Sequence, residues 1–274
     1  MLTKNDGSAK QIKSEKANTA PILSITKLGV VSRDYQHKFK NGFRDFSSAL
    51  PDILKLIDDK GCDAVLFSLF SIVPREFYDP IAAFKGLKNV KAVFLEEFQD
   101  RNKTRDAGRY VVHHRTSKIW AKYEFTQVFG TLTGMAQKDI DDFVKNEMSM
   151  RVLGNCCVLL CGESNGVKYS PKDRKVHDPF GLRKTIPKQT TIILNPIHDR
   201  MTRFEMKLKR KFLSEEGRWV VSVWNKGKKD KNGAVRDGDA PAWTAYYNGQ
   251  EISISPIEHS FQKIEIGILN VAKA

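Results

Sequence analysis

Cys161 stands at the end of an apolar run and at the start of a polar turn, in the stretch CCVLLCGESNG from Cys156 to Gly166. A thiol at the end of a buried strand is well placed to act as a nucleophile. The strand fixes the sulfur, Gly162 permits a tight turn, and backbone amides beyond the turn can point at an oxyanion. The thiolate is the reactive species, and at an unperturbed pKa of about 8.5 only a few per cent of a cysteine is ionised at neutral pH, so such chemistry requires an activating partner. The competing reading is a packed thiol, because free cysteine is among the most buried residue types. The stretch alone leaves both open.

The other groups able to do chemistry are few. Cysteines occur at 62, 156, 157 and 161, and three of the four crowd one apparent strand. Neighbours on a strand face opposite ways, so neither a disulfide framework nor a zinc pair fits, and reduced thiols are expected. His113 and His114 are adjacent on another apparent strand and make a poor metal pair. No metal and no cofactor is expected. Asn195 and His198 lie just beyond a later strand. His198 reads either as a substrate contact or as a structural histidine.

These groups need a scaffold. Residues 1 to 20 are rich in Lys, Ser and Asn and read as a flexible basic tail, with one α/β domain over residues 21 to 274. ILSITKLGVVS reads as a strand from Ile22, and Phe46, Leu50, Ile53, Leu54 and Ile57 recur at helical spacing before Lys60-Gly61 stops the helix. CDAVLFSLFSIV is then a strand apolar on both faces. VKAVFLEEF repeats the strand signal, GRYVVHHRTSKIWAKYEF reads as two strands around a turn, and AQKDIDDFVKNEM as a helix or helical loop. KQTTIILNP and WVVSVWN are strands flanking the basic helical stretch DRMTRFEMKLKRKFLSEEGRW, and WTAYYNGQEISISP with FQKIEIGIL makes a hairpin-like finish turning at Asn248-Gly249.

The order of these pieces resembles the carbon-nitrogen hydrolase, or nitrilase, superfamily. The similarity rests on Cys161-Gly162-Glu163 after an apolar strand, on TTIILNPIHDRM, on RKFLSEEGRWVVSVWN and on the late AYYNGQEISIS…QKIEIGIL segment. It runs from about Ile22 to Leu269. The resemblance implies a four-layer α-β-β-α sandwich, usually paired into homodimers, and a Glu, Lys, Cys triad cleaving an amide or related C–N bond through a thioester. It implies Cys161 as nucleophile and Lys122, in IWAKYEF, as the triad lysine, with Lys118 as the alternative. It implies that Glu163 orients the elbow and that Glu163, Asn195 and His198 line the substrate pocket. Where the superfamily has Pro-Glu at the end of its second strand, this chain has Ser68-Leu69. The base would then come from Glu96, with Glu76 and Glu97 as further candidates, or be absent.

Charge leaves a second class of function open. The formal net charge of +14 raises the local concentration of anions, and part of it is concentrated in KLKRK (Lys207 to Lys211) and KGKKDK (Lys226 to Lys231). Solvated surface lysines are the simpler reading of each cluster; an anionic partner or nucleic acid is the other. No apolar run approaches the roughly 18 to 20 residues that cross a bilayer, and the amino terminus has no apolar signal core, so a cytoplasmic location and no membrane partner are expected. The expected function is an amidase-like hydrolase acting on a small amide-like substrate. The alternatives are a catalytically silent binding module of the same fold and a nucleic-acid-associated protein.

Overall fold

The computed structural model describes residues 20–34, 36–38, 45–74, 80–101, 104–130, 137–199, 204–229, 232–235 and 240–271. Of the expected basic tail only Ala20 falls among them, and Glu76 and parts of the Lys226 to Asp237 loop lie outside them. The first half of the chain supplies β1 (Lys27–Arg33), α1 (Leu50–Asp59), β2 (Ala64–Phe67), β3 (Ala92–Arg101), β4 (Thr104–Thr116) and β5 (Ile119–Thr126). A helical segment follows, α2 (Gln137–Asp142), carried through a π turn into α3 (Met148–Arg151). The second half supplies β6 (Val152–Leu153), β7 (Cys156–Val158), β8 (Lys168–Ser170), β9 (Lys175–His177), α4 (Leu182–Thr185), β10 (Ile192–Asp199), α5 (Phe204–Ser214), β11 (Trp219–Asn225), β12 (Trp243–Tyr247), β13 (Gln250–Ile252), β14 (Ser255–Pro256) and β15 (Ile264–Asn270).

Two sheets result. The first runs β14-β15-β1-β2-β3-β4-β5 and the second β13-β12-β11-β10-β7-β6, with β8-β9 a separate hairpin. Each sheet has a parallel centre, β1-β2-β3 in one and β7-β10-β11 in the other. Central strands buried on both faces explain the near-continuous apolar runs in the sequence.

Strand alternation sorts those residues into layers. Leu28, Val30, Leu66 and Phe94 of the first sheet pack against Val158, Leu194 and Val221 of the second, forming the core between the sheets. The outward residues Val31, Val65, Phe67, Val93 and Leu95 pack against α1 and the 3-10 turn Pro80–Phe84. On the far side Cys157, Ile193 and Val220 pack against Phe143, Val144, Leu182 and Leu213 of the helices. The layers are therefore helix, sheet, sheet, helix, the four-layer α-β-β-α sandwich that the sequence resemblance implied. Cys156 and Cys157 do face opposite ways, one into each core.

Local sequence explains the helix boundaries. Leu50, Ile53, Leu54 and Ile57 of α1 form one buried stripe, Pro51 occupies the first turn, and Gly61 in the left-handed region closes it. Each large aliphatic buried there contributes about 1.5 to 3 kcal/mol. The first strand begins later than its composition suggests. Residues ahead of Lys27 are held by side chains instead of a ladder: Asn155 bonds both backbone groups of Ile25 at 2.9 Å, and the Asp63 carboxylate accepts from the amides of Thr26 and Lys27. No helix among the described residues is long and apolar enough to cross a membrane.

The two sheets are joined at the carboxyl ends of their parallel strands. The Leu69 amide donates to the Ile197 carbonyl at 3.3 Å, and the Ser32 hydroxyl donates to the Trp224 carbonyl at 2.6 Å. Ser68 Oγ lies 2.8 Å from Asn225 Oδ1, while Asn225 Nδ2 donates to the carbonyls of Leu69 and His198. Ligand crevices of α/β proteins form at this end of parallel strands.

Candidate active site

Cys161 begins a 3-10 turn, Cys161–Gly166, just past β7, and its backbone sits in the left-handed region with φ 36°. A non-glycine residue there is strained and persists only where its surroundings hold it. The holding group is Glu163. Its carboxylate, fully buried, accepts from the amides of Leu160 at 2.8 Å and Val128 at 2.9 Å and from Arg151 Nη2 at 2.8 Å. Burial pushes Glu163 up to about 7 against the lowering pull of Arg151 and the two amides. Gly162 is obligatory for a different reason: a Cβ there would lie 1.5 Å from the Gly130 carbonyl oxygen. The turn therefore packs directly on the segment that follows β5.

His198 reaches the cysteine from the end of β10. Its Nε2 is 3.4 Å from both carboxylate oxygens of Glu96, the long edge of hydrogen-bond distance, and the Cys161 side chain is the imidazole's other polar neighbour. The ring lies against Phe70 at a centroid distance of 4.2 Å. Burial acts to lower the His198 pKa, but the bonds to Cys161 and Glu96 and their negative charge outweigh it and raise it to about 10.

Glu96 comes from the other sheet. On β3 it shares parity with Ala92 and Phe94, which face the inter-sheet core, so its side chain enters from the same side. It is 3% exposed and accepts from the Phe70 amide at 2.6 Å and the Gly108 amide at 3.2 Å. Phe70 presents that amide from a left-handed backbone, φ 56°, two residues beyond Ser68. Glu97 has the opposite parity and pairs with Arg109 at 2.9 Å.

The structure thus brings together Cys161, His198 and Glu96 of the residues singled out from sequence. Ser68-Leu69, where the resemblance has Pro-Glu, is used to join the sheets through Asn225. Three expectations need correction. Lys122 does not join the cluster: on β5, Tyr123 and Phe125 pack into the inter-sheet core, so Lys122 points away, more than half exposed and ion-paired with Glu124 at 2.6 Å. Glu163 is not a pocket-lining group, because its carboxylate is enclosed and committed to the elbow. Asn195 is likewise enclosed, donating to the Leu159 carbonyl at 2.6 Å and accepting from Ser222 at 3.1 Å. Both support the reacting end without facing it.

Sequence reasoning named Glu96 and His198 separately and missed their pairing with each other. The signal available was the parity of Glu96 with Ala92 and Phe94. The basic cluster in α5 also departs from a solvated face, since Lys209 is 9% and Arg210 1% exposed. Among the described residues, no group of three or more His, Cys, Asp and Glu side chains is arranged to hold a metal ion.

No family model and no curated protein sequence matches this chain. Among solved structures it is similar to an amidase from Nesterenkonia sp., at 10% identity over 92% of this chain and 93% of that one, with a TM-score of 0.49. It is similar to a carbon-nitrogen hydrolase from Helicobacter pylori G27, at 11% identity over 90% and 89% of the two chains, TM-score 0.44. It is also similar to a glutamine-dependent NAD(+) synthetase from Cytophaga hutchinsonii, at 10% identity over 90% of this chain and 43% of that one, TM-score 0.46. At these identities and scores the likeness assigns no residue a role.

Proposed function

We propose that this protein is a cysteine-dependent hydrolase of amide-type C–N bonds, with Cys161 as nucleophile, His198 as acid and base, and Glu96 as the group that orients and charges the imidazole. The observation that carries the reading is the placement of His198 between Cys161 and Glu96. A histidine next to a thiol takes its proton and leaves a thiolate–imidazolium pair, which supplies the activation that an isolated cysteine lacks.

The chemistry follows from these atoms. The Cys161 sulfur forms a bond to the amide carbon, the C–N bond breaks, and the imidazolium proton goes to the leaving nitrogen. The neutral imidazole then takes a proton from water, whose oxygen attacks the thioester carbon and expels the thiolate. Glu96, carrying hydrogen bonds from two backbone amides, holds the ring in place through both steps. His198 thereby takes the part that the sequence resemblance implied for a glutamate base, and Lys122 has none.

The test is turnover of a panel of simple amides by the wild type, Cys161→Ala and His198→Gln. Hydrolysis lost in Cys161→Ala and reduced at least about 100-fold in His198→Gln, with both variants folded, supports the reading. Unaltered hydrolysis in a folded Cys161→Ala variant would overturn it. A wild type in which Cys161 reacts with iodoacetamide no faster than the buried Cys62 would favour the silent binding module, since burial pushes the Cys62 thiol up to about 11.

A further inference from the structure

We infer that the Cys161 centre takes a substrate carrying a negative charge, and that Arg210 is the buried cation that selects it. The inference rests on Cys161 being the reacting group, as proposed above.

Arg210 projects from α5 beneath the outer face of the second sheet and is 1% exposed. Its Nη1 donates to Thr244 Oγ1 at 3.3 Å, while its Nε and Nη2 have no hydrogen-bond partner among the described residues. The guanidinium lies over the Trp224 ring, 5.7 Å from its centroid, and Trp224 packs with Ile197, Ala242 and Cys161 in one small apolar cluster. Trp224 is thus the ring that Arg210 shares with the cluster against which Cys161 packs. Burial pulls the Arg210 pKa down to about 10, opposed by Tyr246, Glu251 and Cys161, which leaves it charged at neutral pH.

A buried ion without a hydrogen-bonded counter-ion is an expensive arrangement. Two other charged pairs near the thiol are matched among the described residues. Glu96 faces the His198 cation, and Glu163 faces Arg151. From α5, Lys209 donates to Asn165 in the cysteine's own turn at 2.8 Å. Across α5, Glu251 sits on the short outer strand β13, beside Tyr246, and no hydrogen bond joins it to Arg210 among the described residues. The field of Arg210 therefore acts on the reacting centre through apolar side chains, where it is little screened. Such a field favours a thiolate, an oxyanion and an anionic substituent alike. Neutral amides benefit only from the first two.

The same alkylation run with two reagents separates these effects. Iodoacetate and iodoacetamide both form an S–C bond and expel iodide, but only iodoacetate is an anion. The quantity is the ratio of their rates at Cys161 in the full chain, divided by the same ratio for a small free thiol. The wild type is expected to exceed unity, Arg210→Lys to keep most of the excess, and Arg210→Met to lose about tenfold. Rates of the neutral iodoacetamide in each variant report the thiol's own reactivity separately. Circular dichroism checks the fold; if Arg210→Met fails to fold, the wild-type ratio and the lysine variant still decide. A wild-type ratio at or below unity, or an Arg210→Met ratio equal to wild type, overturns the inference and leaves the proposed hydrolase standing. No labelling by either reagent overturns both.

Discussion

Replacing Glu96 by glutamine removes one charge and nearly preserves shape, so its consequences can be worked from the site. Both oxygens of Glu96 lie 3.4 Å from His198 Nε2. An opposite charge at that range moves a partner by about 1 to 3 pKa units, so His198, held near 10, should fall by about two units in the variant. Two units correspond to about 3 kcal/mol of interaction. Because the folded pKa lies above the ordinary 6.5, this stabilisation is complete below that value and is lost as pH rises through about 10. A second cost does not titrate. The amides of Phe70 and Gly108 both donate to the carboxylate, and glutamine offers an NH2 to one of them, at about 1 to 3 kcal/mol. Urea unfolding at about pH 6.5 and about pH 9.5 separates the two, and the penalty should narrow by about 2 kcal/mol between them. A destabilisation equal at both pH values would refute the claim that Glu96 keeps His198 charged.

Other substitutions probe the supports. Gly162→Ala drives a methyl into the Gly130 carbonyl and should cost about 3 kcal/mol by chemical denaturation; an effect under about 0.5 kcal/mol would mean that the two turns separate easily. Glu163→Ala leaves Arg151 buried without its counter-ion and should cost about 3 to 5 kcal/mol, with much of the loss recovered when Arg151→Leu is added. Additive losses in that double-mutant cycle would contradict the ion pair. Lys122→Met, on an exposed face, should leave amide turnover unchanged and stability within about 0.5 kcal/mol, whereas a lost activity would place this lysine at the reacting centre.

What could be read from sequence was whatever local periodicity encodes. The stripe Leu50, Ile53, Leu54 and Ile57 specified α1, and the apolar runs at Ala64 to Phe67 and Trp219 to Asn225 specified central strands. Glu96 and His198 were visible as candidates because each closes an apolar run. Their pairing was not visible, since it depends on how two sheets are stacked, and no local signal carries that. Lys122 shows the converse error. A motif places a residue near a strand end, but only the parity set by Tyr123 and Phe125 says which face it occupies. The cluster from Lys207 to Lys211 looked like surface charge, and the two residues turned inward, Lys209 and Arg210, are distinguishable only once α5 is docked.

The contact between Ser68, Leu69, Ile197 and Asn225 has a consequence for when the protein becomes reactive. Glu96 is delivered by the half of the chain made first, and Cys161 and His198 by the half made later. Neither half holds both the carboxylate and the thiol it serves. A chain that has formed each sheet without closing them together keeps Cys161 and His198 in one half but leaves the imidazole without its carboxylate, so on the proposed function the pairing of Glu96 with His198 arrives last, with sheet docking and not with strand formation. Cys161 labelling is then a chemical clock for the last step of folding, its rate changing when the carboxylate reaches the imidazole.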